Sequence, residues 1–87
     1  MKRVRFSIPA PKAKQVLLAG DFTNWEANAR PMRRSAPRGK TFSTIVSLAP
    51  GSYEYKFIVD GAWVEDPKAD SVPNEFGTLN SRLVVTS

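Results

Sequence analysis

The stretch YKFIVDGAWVEDP, residues 55–67, decides how this chain folds. Tyr55, Phe57 and Val59 alternate with Lys56 and Ile58, the period-two pattern of a strand with one buried face. Asp60-Gly61 then suits a two-residue type I′ turn, because both positions of that turn need φ > 0. In the resulting register Val59 faces Ala62, Ile58 faces Trp63, Phe57 faces Val64 and Lys56 faces Glu65. Phe57, Val59, Ala62 and Val64 are thereby turned to the core. Lys56, Ile58 and Trp63 fall on the opposite face, where Lys56 is a diagonal neighbour of Trp63 at about 7–8 Å between backbones. An aromatic plate beside an ammonium group, off the core face, is the arrangement of a binding surface.

The same alternation runs outward from this hairpin. Phe42, Thr44, Val46 and Leu48 form one face of TFSTIVSL, and Ala49 to Ser52 reads as a hairpin loop joining it to the next strand. Leu48 then pairs with Tyr53, Val46 with Tyr55, Thr44 with Phe57 and Phe42 with Val59, inward against inward. Val4, Phe6 and Ile8 face inward on a first strand whose other face carries Arg3, Arg5 and Ser7, with Pro9 and Pro11 ending it. Val16 to Ala19 is a short apolar strand closed by Gly20, and a last strand falls near Arg82 to Thr86. Residues 30–40, RPMRRSAPRGK, read as irregular loop with a short edge strand at Met32. No eleven-residue window carries a 3.6-residue stripe, so little or no helix is expected. Short strands separated by turn signals predict an all-β antiparallel sandwich.

Eighty-seven residues suffice for one domain, here residues 1–87, and are too few for two independent cores. The chain has no cysteine and no histidine, which removes disulfides, thiol chemistry, imidazole catalysis and the usual zinc ligands. No metal or cofactor is expected. The longest apolar run near the N-terminus, Val16 to Ala19, is too short for a signal or membrane segment, so no membrane association and a cytoplasmic location are expected. Glu65 and Asp66 are neighbours on an extended segment and point to opposite faces, so they cannot straddle one bond as a catalytic pair. Asp60, Asp66 and Asp70 lack the spacing of a calcium loop and suit turns. The five glycines are scattered turn residues, with no phosphate-cradling loop. The chain is read as a binding protein and not as an enzyme.

Two ligand classes fit exposed tryptophans. Trp25 lies in the polar segment GDFTNWEAN, where Phe22 is the better core candidate, so both tryptophans are expected at the surface. Indole faces accept the C–H faces of pyranose rings, with lysine, asparagine and threonine available for the hydroxyls. They also stack on nucleobases. The formal charge of +5 divides unevenly: residues 1–56 hold eleven Lys/Arg against three Asp/Glu, and residues 57–87 hold two against five. The basic half, with Arg33, Arg34 and Arg38, favours a polyanion. Asp60, Glu65 and Asp66 beside Trp63 disfavour phosphate there.

Three blocks taken in order carry a more specific signal: VLLAGDFTNW, then PGSYEYKFIVDGAWVEDP, then FGTLNSRLVV. Together, over roughly residues 15 to 85, they resemble the glycogen-binding domain of the AMP-activated protein kinase β subunit. They are equally similar to the N-terminal early-set modules of isoamylase-type and branching enzymes, grouped as carbohydrate-binding module family 48. The resemblance implies an immunoglobulin-like, early-set sandwich that binds α-1,4-linked glucan such as glycogen or starch. It implies that Trp25 and Trp63 stack on glucose rings and that Lys56 and Asn80 hydrogen-bond their hydroxyls. Phe76 stands where the kinase module has leucine before the Gly-Thr pair, and Thr78 lies in the same loop. Some members of this group lack a full site and serve only protein contacts, with a glucan-active enzyme or another protein as partner. That is the alternative function, and nucleic-acid binding through the basic loop ranks below it. The chain is read as a stand-alone binder or a piece of a longer one.

Overall fold

The computed structural model describes residues 1–86 as two antiparallel sheets packed face to face. Nine strands follow in chain order: β1 (Lys2–Pro9), β2 (Val16–Gly20), β3 (Arg30–Pro31), β4 (Arg33–Arg34), β5 (Thr41–Leu48), β6 (Gly51–Val59), β7 (Ala62–Val64), β8 (Asp70–Pro73) and β9 (Leu79–Val85). Two short 3-10 turns, Asp21–Thr23 and Trp25–Asn28, are the only helical residues among those described. The first sheet has the order β1-β5-β4 and the second β3-β2-β6-β9-β8, with β7 also paired to β6. No helix among the described residues is long and apolar enough to cross a membrane.

The Asp60-Gly61 hairpin has the register that its turn chemistry dictates. Asp60 and Gly61 take φ of 48° and 86°, and Val59 pairs with Ala62, Ile58 with Trp63 and Phe57 with Val64. Gly61 meets the positive φ at no steric cost. The Asp60 carboxylate accepts hydrogen bonds from the backbone N–H groups of Lys14 (2.9 Å) and Gln15 (2.8 Å), tying the turn to the chain entering β2. Phe57 is fully buried, while Ala62 is exposed and not the core residue expected, since it sits at the very end of the ladder.

The second expected hairpin is not there. β5 pairs with β1, setting Val4 against Val46, Phe6 against Thr44 and Ile8 against Phe42. β6 belongs to the other sheet, bonded to β2 along one edge and to β9 and then β7 along the other. Ala49 and Pro50 therefore carry the chain across the sandwich. Matching inward residues did not distinguish the two arrangements, because both strands face the same core in either. The Tyr53 hydroxyl closes the crossing by donating to the Ala49 carbonyl at 2.7 Å.

Met32 is likewise not a strand residue. β3 pairs with β2 and β4 with β5, so the chain changes sheets between them at Met32. Its N–H donates to the Val16 carbonyl at 2.9 Å and its side chain is buried in the core. β8 was not expected at all, and β9 begins at Leu79, earlier than the expected start at Arg82.

The core is a stack of aromatic and aliphatic residues between the sheets. The ring of Tyr55 meets Phe6 edge-on at 5.0 Å and Phe57 at 5.8 Å, and Phe22 stacks on Phe6 at 5.5 Å. Gly20 lies at the end of the β2–β6 ladder, opposite Tyr55. A Cβ there would come within 2.7 Å of the Glu54 carbonyl and 2.9 Å of the Tyr55 Cβ.

Tyr55 also holds the hairpin to β9. Its hydroxyl donates to Asp66 Oδ2 at 2.6 Å, while the Asp66 N–H donates to Ser81 Oγ at 2.8 Å. Burial, the hydrogen bond to Asp66 and that residue's negative charge all push the Tyr55 phenol above its ordinary range. The folded pKa is raised, so this contribution is intact below the unfolded tyrosine value near 10 and is lost as pH rises beyond it. In urea titrations above pH 10, the native chain should lose stability faster than Tyr55→Phe, by about 1.4 kcal/mol for each further pH unit. Parallel alkaline profiles for the two proteins would contradict this. At neutral pH the same substitution should cost about 1.5–3 kcal/mol, the worth of a hydrogen bond to a charged group.

Candidate functional site

On β6, Glu54, Lys56 and Ile58 alternate with the core-facing Tyr55, Phe57 and Val59 and so lie on the outer face of the larger sheet. Trp63 stands across from Ile58, and Asn80 reaches the same face because its neighbours Ser81 and Arg82 pair with Tyr55 and Glu54. Over this face opens a groove of about 990 Å³ whose lining includes Trp25, Lys56, Trp63, Phe76, Thr78 and Asn80. All six residues singled out in the sequence thus border one concavity.

Trp25 arrives through the chain after β2. Thr23 pins that chain: its hydroxyl accepts from Gly20 N–H at 2.9 Å and donates to the Trp25 carbonyl at 2.8 Å. The second 3-10 turn packs back on β2, and Ala19, an outer-face residue opposite Lys56, is fully buried. Asn24 and Trp25 both take positive φ, 54° and 56°. Asparagine tolerates that conformation and tryptophan does not favour it. The consequence is an indole carried beside Trp63, with ring centroids 6.5 Å apart and planes tilted by 52°. Trp63 remains 45% exposed.

The polar side of the groove is a chain of hydrogen bonds around Asn74. Its Oδ1 accepts from the N–H groups of Phe76 (2.9 Å) and Thr78 (3.1 Å). Its Nδ2 donates to Thr78 Oγ1 at 2.7 Å and to Asn80 Oδ1 at 2.9 Å. Asn80, only 6% exposed, donates in turn to Glu54 Oε1 at 3.1 Å. Lys56 Nζ donates to Thr78 Oγ1 at 3.4 Å. With both acceptor positions of Thr78 Oγ1 occupied, its own proton is free to point into the groove. The loop so knotted carries Phe76 at its tip, 81% exposed.

Sequence reading missed Asn74 and Glu54. Asn74 stands two residues before Phe76, the spacing of an Asx turn, and Glu54 shares the face of Lys56 by alternation. Asp66, Asp60 and Glu65 make structural contacts: the first two as described, and Glu65 by accepting from Ser71 Oγ at 2.8 Å. Arg34 is also occupied. Its guanidinium donates to the carbonyls of Ala13 and Gly39 and lies 4.7 Å from the Phe42 ring centroid.

The family model described as the glycogen recognition site of AMP-activated protein kinase matches residues 4–87. The chain belongs to that family. Over 72 residues it is 39% identical to the β-1 subunit of 5′-AMP-activated protein kinase of Sus scrofa and to that of Homo sapiens, and 38% identical to the β-2 subunit of Mus musculus. These alignments cover 83% of this chain but only 55% of the Sus scrofa sequence and 25% of the other two. A crystal structure of maltogenic amylase from S. marinus superposes with a TM-score of 0.73 at 26% identity, covering 98% of this chain and 14% of that one. The glycogen-recognition family and this superposition agree on an early-set, immunoglobulin-like β-sandwich.

The positive φ at Trp25 separates two substitutions. Both Trp25→Ala and Trp25→Gly remove the indole, but only glycine adopts φ near 56° without a Cβ clash. Trp25→Gly should therefore be the more stable of the two by about 1 kcal/mol in urea unfolding. Equal stabilities, or alanine the more stable, would show that the backbone there is not constrained as described.

Proposed function

We propose that residues 1–87 form one non-catalytic module that binds α-1,4-linked glucan, as glycogen, starch or maltooligosaccharide, in the groove over the outer face of the larger sheet. The observation that carries this reading is the tilted pair of indoles, Trp25 and Trp63, in one groove with the donors of Lys56 and Thr78. Stacking needs flat apolar faces, and pyranose rings offer polarised C–H groups to the π-cloud. Two indole planes at 52° suit successive sugars of a curving α-linked chain better than a flat ribbon, whose rings share one plane. Lys56 and Thr78 supply donors at the ring edge, and Asn80 holds the end of their network at the groove floor. Phe76 adds an apolar contact from its loop.

Lining charge supports a neutral ligand. Glu26, Glu54 and Glu75 border the groove against the single cation Lys56. A polyanion would meet three carboxylates there, although the whole chain carries +5. Of the arginines named for nucleic-acid contact, Arg34 is already committed to backbone carbonyls and Phe42. Membership in the glycogen-recognition family and likeness to an amylase structure are consistent with the same ligand class. In a larger assembly the module would hold an enzyme or another partner protein against glucan.

Trp63→Ala should weaken maltoheptaose binding by about thirtyfold or more in calorimetry, the scale of a central stacking residue. Its melting temperature should stay close to that of the native chain, since the indole is nearly half exposed. Native affinity should change little between 50 and 500 mM salt, whereas phosphate-mediated binding would fall by orders of magnitude. Undiminished binding by the variant would refute the site, and no maltoheptaose binding by the native chain would refute the function.

A further inference from the structure

The groove does not end at Glu54. A second, smaller depression of about 210 Å³ lies beside it, lined by Ser52, Tyr53, Glu54, Val72 and Arg82, and Glu54 borders both. Register explains the continuity. Ser52 pairs with Val84 and Glu54 with Arg82, while β8 sets Val72 beside Asn80 and Asp70 beside Arg82. Ser52, Glu54 and Lys56 therefore run in a line along one face of β6, at about 6.8 Å per step. The line begins at the polar floor of the first groove and ends at Val84, which is 56% exposed.

We infer that this second depression is an extension subsite for the same α-glucan chain, occupied only by chains too long for the tryptophan groove. The inference rests on the glucan-binding reading above. Its chemistry differs from the first groove in an instructive way. Its aromatic border is Tyr53, whose ring is already packed edge-on against Phe22 at 5.9 Å, so no open indole plate faces it and the subsite alone is too weak to hold a short sugar. Ser52 and Arg82 offer donors, the Glu54 carboxylate offers acceptors to sugar hydroxyls, and Val72 adds apolar surface for a C–H face. Arg82 is exposed, pairs across the ladder with Glu54, whose carboxylate anchors Asn80, and lines the depression together with it. Opposite charges on Glu54 and Arg82 make the rim close to neutral, which again fits an uncharged polymer.

The test compares ligand lengths. Maltotetraose and a long linear maltodextrin are titrated into the native chain and into Arg82→Ala by calorimetry, and backbone amide shifts are followed by NMR. Arg82→Ala should weaken the long chain about three- to tenfold and leave maltotetraose unchanged. The long chain should move the amides of Ser52, Glu54 and Arg82, which maltotetraose leaves in place, while both ligands move Trp63. Identical shift footprints for the two ligands, or an equal loss of affinity for both in the variant, would overturn the subsite and leave the tryptophan groove standing. If neither ligand moves Trp63, the glucan reading itself fails and the subsite with it.

Discussion

Strand β6 sets the constraint on which the molecule depends. It is bonded along one edge to β2 and along the other to β9 and then β7, so its two-residue parity is shared by four strands. Tyr55, Phe57 and Val59 on one side of that parity face the core; Glu54 and Lys56 on the other line the groove. A shift by one residue would exchange the two sets, placing a lysine and a glutamate against Phe6. Core packing and ligand surface are thus the two faces of one decision, and the Asp60-Gly61 turn with its ties to Lys14 and Gln15 fixes it.

What the sequence revealed follows from how local each determinant is. The hairpin at Asp60 was legible because the turn type demands residues able to adopt φ > 0, and only one register satisfies it. The crossing at Ala49-Pro50 was not legible from alternation, because inward residues face the same core whether two strands share a sheet or oppose across it. Met32 was misassigned for a related reason: its burial comes from a change of sheet, which no local pattern encodes. β8 is short and polar, and its partner β9 alone accounts for its pairing.

The site was legible in part. Register placed Lys56 with Trp63, and alternation would have added Glu54. Trp25, Phe76, Thr78 and Asn80 come from two distant loops and a strand start, and only the resemblance of the ordered blocks joined them to the others before the fold was known. Total charge was a poor guide. Arg3, Arg5 and Arg33 pair with Ser47, Ile45 and Ser43 in the smaller sheet, on the far side of the sandwich, while the charged residues bordering the groove are three glutamates and one lysine.

The Asn74 knot has a consequence beyond holding Phe76 in place. One amide side chain satisfies the backbone of residues 76 and 78 and links them to Asn80, so the loop between β8 and β9 is closed upon itself. The bond from Asn80 to Glu54 and the long contact from Lys56 to Thr78 join it to the sheet. Gly77 at φ 78° completes the bend with no neighbour within 4 Å of where a Cβ would sit. The tip is therefore a nearly self-contained cassette: its apex side chain can be exchanged for another shape without disturbing the sandwich, and ligand preference becomes a property that is portable between otherwise identical scaffolds.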